Sequence, residues 1–186
     1  MRKHLSALGG VVLALTLTLT ACSESGSDPG GTDTPTATPS TSTSAEETQP
    51  TPEEKAAAQL TNYLDVRDDA LRAATIDFKR LNKVATGREF LNLQQNVSAI
   101  ERSGSKLTGE YVHTLGESRD RGAYILIIDC EDRSGVEQTK DGRPVPEPVG
   151  PDGKPVPNPL PIEYKLVKEK GRWLVSDQNG LLEESC

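Results

Sequence analysis

The chain lacks a basic patch, a Gly-rich phosphate loop, a nucleophile motif, a Cys-x-x-Cys pair and a metal-ligand quartet. Each absence removes a class of function. With Lys+Arg 21 against Asp+Glu 28 and a formal charge of −7, the chain has no Arg/Lys stripe with which to track a nucleic acid or to hold anionic headgroups by charge. Without a ligand quartet or a cofactor motif, neither a metal nor a cofactor is expected. There are two histidines, His4 and His113, so imidazole chemistry has a single candidate outside the N-terminus. Hydrophobic residues make up 34% of the chain, and the shortfall is concentrated in one low-complexity segment rather than spread evenly.

The N-terminus is the first informative stretch. Met1-Arg-Lys-His4 is a positive lead, Leu5–Thr20 is apolar, and small residues follow, which is the order of an export signal. The apolar run is about 16 residues, short of the ~20 that cross a bilayer as a helix. Leu19-Thr20-Ala21-Cys22 resembles the lipobox of bacterial lipoproteins. That resemblance implies a signal peptide over 1–21, lipid (palmitate among its acyl chains) on Cys22, and an anchor at the extracytoplasmic face of the cell membrane. Two acyl chains hold stably where one binds only marginally. An ordinary secretory signal with an incidental Cys22, or an uncleaved anchor helix, are the alternatives.

Residues 22–51 read as a tether. Ser23–Gln49 contains no aromatic and no large aliphatic residue, and Thr34–Ser44 is a mucin-like run of Thr, Ser and Pro. Such a segment cannot bury enough apolar surface to offset its ordering entropy, so a disordered linker is expected. Tethers of this kind are common in actinobacterial-type lipoproteins, and by that resemblance O-glycosylation is conceivable.

Residues 52–186 carry the periodicities of one folded domain. Thr51-Pro52-Glu53-Glu54 is a helix-starting capping box, and Leu60, Leu64, Arg67, Leu71, Ala74 and Phe78 then recur at spacings of four and three, with Arg67 the only polar member. The helix either continues to Val84 or breaks near Thr75-Ile76. A second capping box, Thr86-Gly-Arg-Glu89, precedes Phe90, Leu93, Val97 and Ile100, and Ser103-Gly104 ends that helix. The sequon at Asn96 lies inside it and is read as chance.

After Gly104 the period becomes two. Lys106–Gly116 reads as one strand with Leu107, Tyr111, His113 and Leu115 on one face, and Glu117–Gly122 as a polar turn. Ala123–Cys130 is the longest apolar run outside the N-terminus, apolar on both faces, and so expected in mid-sheet with cover on both sides. Ile162–Leu166 and Trp173–Val175 form a hairpin across Lys168–Arg172, and Asp177–Gly180 is expected to break the last strand. Between them, Asp141-Gly-Arg-Pro-Val-Pro146 is repeated as Asp152-Gly-Lys-Pro-Val-Pro157. This Pro-rich loop, 136–161, is expected to stay out of any sheet interior as extended chain punctuated by Asp-Gly turns. A ligand for a Pro-recognising partner is conceivable; a long surface connection is favoured. Helices first and antiparallel strands after give an α+β layout, with N-terminal helices on a curved four-stranded antiparallel sheet.

That layout resembles the NTF2-like cone superfamily, whose members often end in a Gly-x-Trp-x-Val hairpin, here Gly171–Val175. The chain is also similar to exported actinobacterial-type proteins of that superfamily carrying an Asp-Cys-x-Asp-x-Ser strand end, an Asp-Gly-Lys-Pro-Val loop and a C-terminal Cys. The matching residues are Asp129–Ser134, Asp152–Val156, Gly171–Trp173 and Cys186, and the doubling of the loop element is a departure from the pattern. With Cys22 lipidated, an oxidising setting makes a Cys130–Cys186 disulfide the simple expectation; two free thiols or a redox site are the alternatives.

The cone superfamily includes isomerases and dehydratases that use Asp, His or Tyr in the pocket, so the resemblance nominates Tyr63, Asp65 and His113 as weak catalytic candidates, with Asp129 and Tyr164 also available. Tyr63, Tyr111, Tyr124, Tyr164 and Trp173 are the pocket candidates. A core histidine satisfied by a neighbour is the favoured reading of His113. Asp129, Glu131 and Asp132 form the densest carboxylate cluster; their spacing is not that of a Ca²⁺ loop, and they are expected as solvated acids at a strand end, hydrogen-bonding Ser134. Three functions remain: a non-catalytic binding or structural module meeting an envelope protein or wall component, a carrier of a small apolar ligand, and an Asp/His-based enzyme. Bulky side chains filling the cone favour the first, an open Leu/Ile/Tyr pocket the second, and an Asp–His pair without structural partners the third.

Overall fold

The computed structural model describes residues 49–186. The signal segment, the Leu19–Cys22 motif and nearly all of the tether lie outside the described residues. Helix α1, Pro52–Ala73, starts where its capping box predicts: Thr51 N donates to Glu54 Oε2 at 2.7 Å, and Glu54 N donates to Thr51 Oγ1 at 3.2 Å. Of the two ends open in the sequence, the helix takes the break beside Thr75-Ile76, short of its apolar rhythm. Ala74 turns into the left-handed region at φ 49°, so Phe78 belongs to a separate short helix, α2 (Phe78–Leu81), and is half exposed.

Helix α3, Gly87–Ser103, buries Leu93 and Val97 as expected. Its second capping box does not form. Thr86 makes no side-chain cap bond, and Glu89 is turned inward to accept from the Tyr63 hydroxyl.

The strand expected over Lys106–Gly116 is divided into β1 (Lys106–Thr108) and β2 (Val112–Asp120). Gly109 is the reason. It sits at φ 83° against Gly135, whose carbonyl oxygen would lie 1.8 Å from any Cβ placed there. Past a bulge near Gly116-Glu117, β2 also runs through residues read as a turn. Strand β3, Tyr124–Asp132, is central, but its cover is one-sided: Ile125 and Ile127 are fully buried, whereas Tyr124, Leu126 and Ile128 on the other face are only half-buried.

The Pro-rich loop is less irregular than expected. Its first repeat folds as a small hairpin of β4 (Glu137–Lys140) and β5 (Arg143–Pro144) around Asp141-Gly142, and β4 pairs with β1. The second makes a turn at Gly153 with a Val149–Pro155 bridge. Strand β6, Leu160–Glu169, takes in Pro161 opposite Cys130, so one proline of the loop does enter an inner strand, at its first turn of pairing. Strand β7, Arg172–Gly180, continues through Asp177–Gly180 rather than breaking, its register kept by a bulge opposite Lys165/Leu166.

The architecture is α+β, as expected, with helices packed on a four-stranded antiparallel sheet of order β2-β3-β6-β7 and a second small sheet β1-β4-β5 at its side. The core between layers is built from Leu60, Tyr63, Leu81, Ile125, Ile127, Tyr164, Leu166 and Val175. Each such side chain removed from water contributes roughly 1.5–3 kcal/mol. Cys130 and Cys186 are bonded, closing a loop of sequence separation 56 and fastening the C-terminus to the outer face of β3.

Candidate functional site

Strand parity and helix spacing bring charge into the core at one place. On β3 the residues two and four beyond Ile127 are Asp129 and Glu131, so both carboxylates point to the side the helices cover. On α1, Arg67 lies one turn beyond Tyr63 and two beyond Leu60, which points it at the same sheet face. Arg67, Asp68, Asp129 and Glu131 are all more than nine-tenths buried.

The Arg67 guanidinium is held on every side. Nε donates to Asp68 Oδ1 at 2.9 Å, Nη1 to the Tyr164 hydroxyl at 2.9 Å, and Nη2 to Glu131 Oε2 at 2.5 Å. Its carbon sits 5.1 Å from the centroid of the Tyr111 ring. Three charge-assisted bonds and an aromatic face replace the water the ion gave up.

His113 on β2 stands opposite Glu131 in register and completes the cluster. Its Nδ1 is 2.6 Å from Asp129 Oδ2 and its Nε2 is 3.1 Å from Asp68 Oδ2. Burial and the nearby Arg67 oppose a charge on the ring, but the bonds to Asp129 and Asp68 outweigh them and raise its pKa to about 9. At neutral pH the ring is therefore an imidazolium donating from both nitrogens, with no lone pair to act as a base. For Asp68 the cost of burial is likewise outweighed, and bonds from His113 and Arg67 hold its carboxyl below the usual range. The other oxygen of Asp129, Oδ1, is buried without a partner.

A second buried pair lies beside the first. The Tyr63 hydroxyl donates to Glu89, and the Tyr63 and Tyr164 rings meet edge to face at 5.9 Å. Burial is the main cause of the raised Glu89 pKa, and it also lifts the Tyr63 and Tyr164 hydroxyls.

The residues nominated from sequence divide accordingly. His113 lies in the charged cluster, Tyr164 and Tyr111 touch it, and Tyr63 packs against Tyr164. Asp65 does not join them: it is exposed on the far side of α1, and the inward acid is Asp68. Tyr124 is on the other face of the sheet under the Lys165 ammonium at 4.4 Å, and Trp173 is half-buried near Lys168, so these two line no common pocket with the rest. Asp129 and Glu131 are not the solvated acids expected. Asp132 is half-buried on the other face and accepts from Ser134, as well as from Asn158 of the Pro-rich loop. Among the described residues no three His, Cys, Asp or Glu side chains converge as metal ligands would.

Sequence reasoning missed Asp68 and Glu89, and noted Arg67 only as an oddity. The signal for Arg67 was present: a lone cation on an otherwise apolar helix face calls for a buried anion.

The space between the helices and the sheet is occupied by Tyr63, Tyr164, Leu60, Ile125 and Ile127, each fully buried. Two openings lie at the edge of the charged cluster. A recess of about 110 Å³ between Arg67, Glu89, Leu93 and Ile162 adjoins a cleft of about 290 Å³ under β4 and the first Pro repeat, and Tyr111 and Glu131 border both. A separate cleft of about 600 Å³ runs between the second Pro repeat and Leu182-Glu183 of the C-terminal tail.

No family model matches the chain, and no curated protein does either. Among solved structures, it is similar to the intermembrane-space region of the chloroplast protein ARC6, with TM-score 0.45 and 10% identity over 72% of this chain and 99% of that one. It is also similar to a variant of the NTF2-type protein Rd1NTF2_05, with TM-score 0.35 and 12% identity over 67% of this chain and 97% of that one.

Proposed function

We propose that this is an exported, membrane-anchored lipoprotein whose α+β domain is a non-catalytic binding or structural module at the cell surface. The observation that carries the reading is the filled interior: Tyr63 and Tyr164 occupy the space an enclosed ligand would need, with no exposure to solvent. A carrier of a small apolar molecule would keep that space open. An enzyme using His113 as its base would need a neutral imidazole with a free nitrogen, whereas both nitrogens of His113 are committed to Asp129 and Asp68. The Cys130–Cys186 bond suits an oxidising, extracytoplasmic setting. The anchor rests on Leu19-Thr20-Ala21-Cys22 alone.

Native mass spectrometry of the full chain, isolated in detergent from its own membranes, tests the module. Copurification of an envelope protein or wall fragment is the expected result, and a stoichiometric apolar small molecule would overturn it. Labelling with radioactive palmitate tests the anchor: label is expected on the parent chain and not on Cys22→Ala, and equal label on both would reject it.

A further inference from the structure

We propose that the cleft at the edge of the charged cluster takes a primary ammonium group carried on a short aliphatic stem. This rests on the binding-module reading and names the chemistry of one thing the module would hold. Within the cluster three carboxylates, from Asp68, Asp129 and Glu131, face two cations, Arg67 and His113. The surplus negative charge has one outlet. The Glu131 side chain is only 7% exposed, and its Oε2 is taken by Arg67. Among the described residues its Oε1 meets no donor, and yet it is not one of the atoms sealed from solvent. Glu131 lines the cleft as well as the recess behind it, so that oxygen is left for whatever enters.

The walls suit a cation on a stem rather than an anion or a bare ion. Leu107, Val136 and Val145 provide apolar surface, Tyr111 provides a ring that already attracts the Arg67 guanidinium, and Glu147 adds an exposed carboxylate. An anion would find both nearby guanidiniums occupied. Arg67 is held by Asp68 and Glu131, and Arg133 donates to the Pro157 carbonyl at 2.7 Å. Water alone is the competing occupant.

The test is an NMR titration of the full chain with n-butylammonium, n-butanol and butyrate, three probes of one length and different charge. Saturable shifts at Tyr111, Glu131 and Val145 are expected with butylammonium and not with the other two. Val145→Trp, which fills the cleft without touching the charged cluster, should abolish them. Glu147→Gln, at an exposed position, should weaken binding by less than about fivefold, as an exposed ion pair would. Equal shifts from butanol, shifts from butyrate, or undiminished binding by Val145→Trp would overturn the proposal, as would an absence of cleft shifts with butylammonium. Nα-acetyl-lysine amide separates the sources: tighter binding than butylammonium upholds the site with a partner's lysine as ligand, and weaker binding upholds it with a free amine. Chemical conversion of the amine would sink the non-catalytic reading and leave the site standing, whereas loss of amine binding alone sinks only the site.

Discussion

The two ends of β3 present the same helix-facing side and are buried alike, yet one carries Ile125 and Ile127 and the other Asp129 and Glu131. Strand parity decides which residues go inside; it does not consult their charge. What differs is what surrounds each pair. At the first end, apolar residues of α1 above and of β6 alongside close the core, whereas at the second α1 supplies Arg67, and the flanking strands supply the Tyr164 hydroxyl from β6 and His113 from β2. The acids are tolerated inside because cations are delivered to them from two other elements. A buried ion pair is weak evidence for stability, but losing one of its partners is severe.

Breaking the cluster should therefore have the largest effect. Arg67→Met leaves Glu131 and Asp68 without their cation and should cost roughly 3–5 kcal/mol in urea unfolding. Replacing Arg67, Asp68 and Glu131 together by apolar residues of similar volume should recover most of that loss, since the desolvated charge goes with its partner. On the outer side of the same strand end, Cys186→Ser opens the loop to Cys130 and should cost about 2–4 kcal/mol by the same measurement, with reduction of the parent chain giving a matching loss.

The pH dependence comes next and belongs to the charged end. His113 is raised from its ordinary value, 6.5, to about 9, so its contribution is fully present below about pH 6.5 and is lost as pH climbs through 9. The parent should lose stability between those limits in excess of a His113→Gln variant, and parallel curves would contradict this. At the apolar end the smallest change is expected. Ile127→Val should cost roughly 0.5–1.5 kcal/mol and add no pH dependence beyond the parent's.

The same contrast explains what could be read in advance. Periodicity with capping boxes located α1 and α3, a long apolar run located β3, and alternation about a turn located the β6–β7 hairpin. The end of α1 was half legible: the β-branched pair Thr75-Ile76 marked the break as one of two alternatives, but Ala74 carries no glycine signal for its left-handed turn. The continuation of β7 through Asp177–Gly180 was hidden by residues that ordinarily mark turns and are tolerated here past a bulge at an edge strand. Pro161 entered β6 because only its carbonyl is called on, accepting from Leu181 N. The candidate site was half legible: His113 by parity with Tyr111, and Arg67 as a polar intruder. Asp129 and Glu131 were misread because adjacent acids look solvated until the register of β2 and the reach of α1 are known. Asp65 was nominated in place of Asp68 because a choice three residues apart on a helix turns on which face meets the sheet, and sequence spacing did not place either acid on the apolar stripe.

A ¹⁵N NMR titration of His113 tests the central claim, that the inward acids of β3 are held by cations returned from β2 and α1. The only other histidine in the sequence is His4. Both ring nitrogens of His113 should remain protonated through neutral pH, with a midpoint near 9. A midpoint at or below the ordinary 6.5, with one nitrogen bare at pH 7, would contradict it.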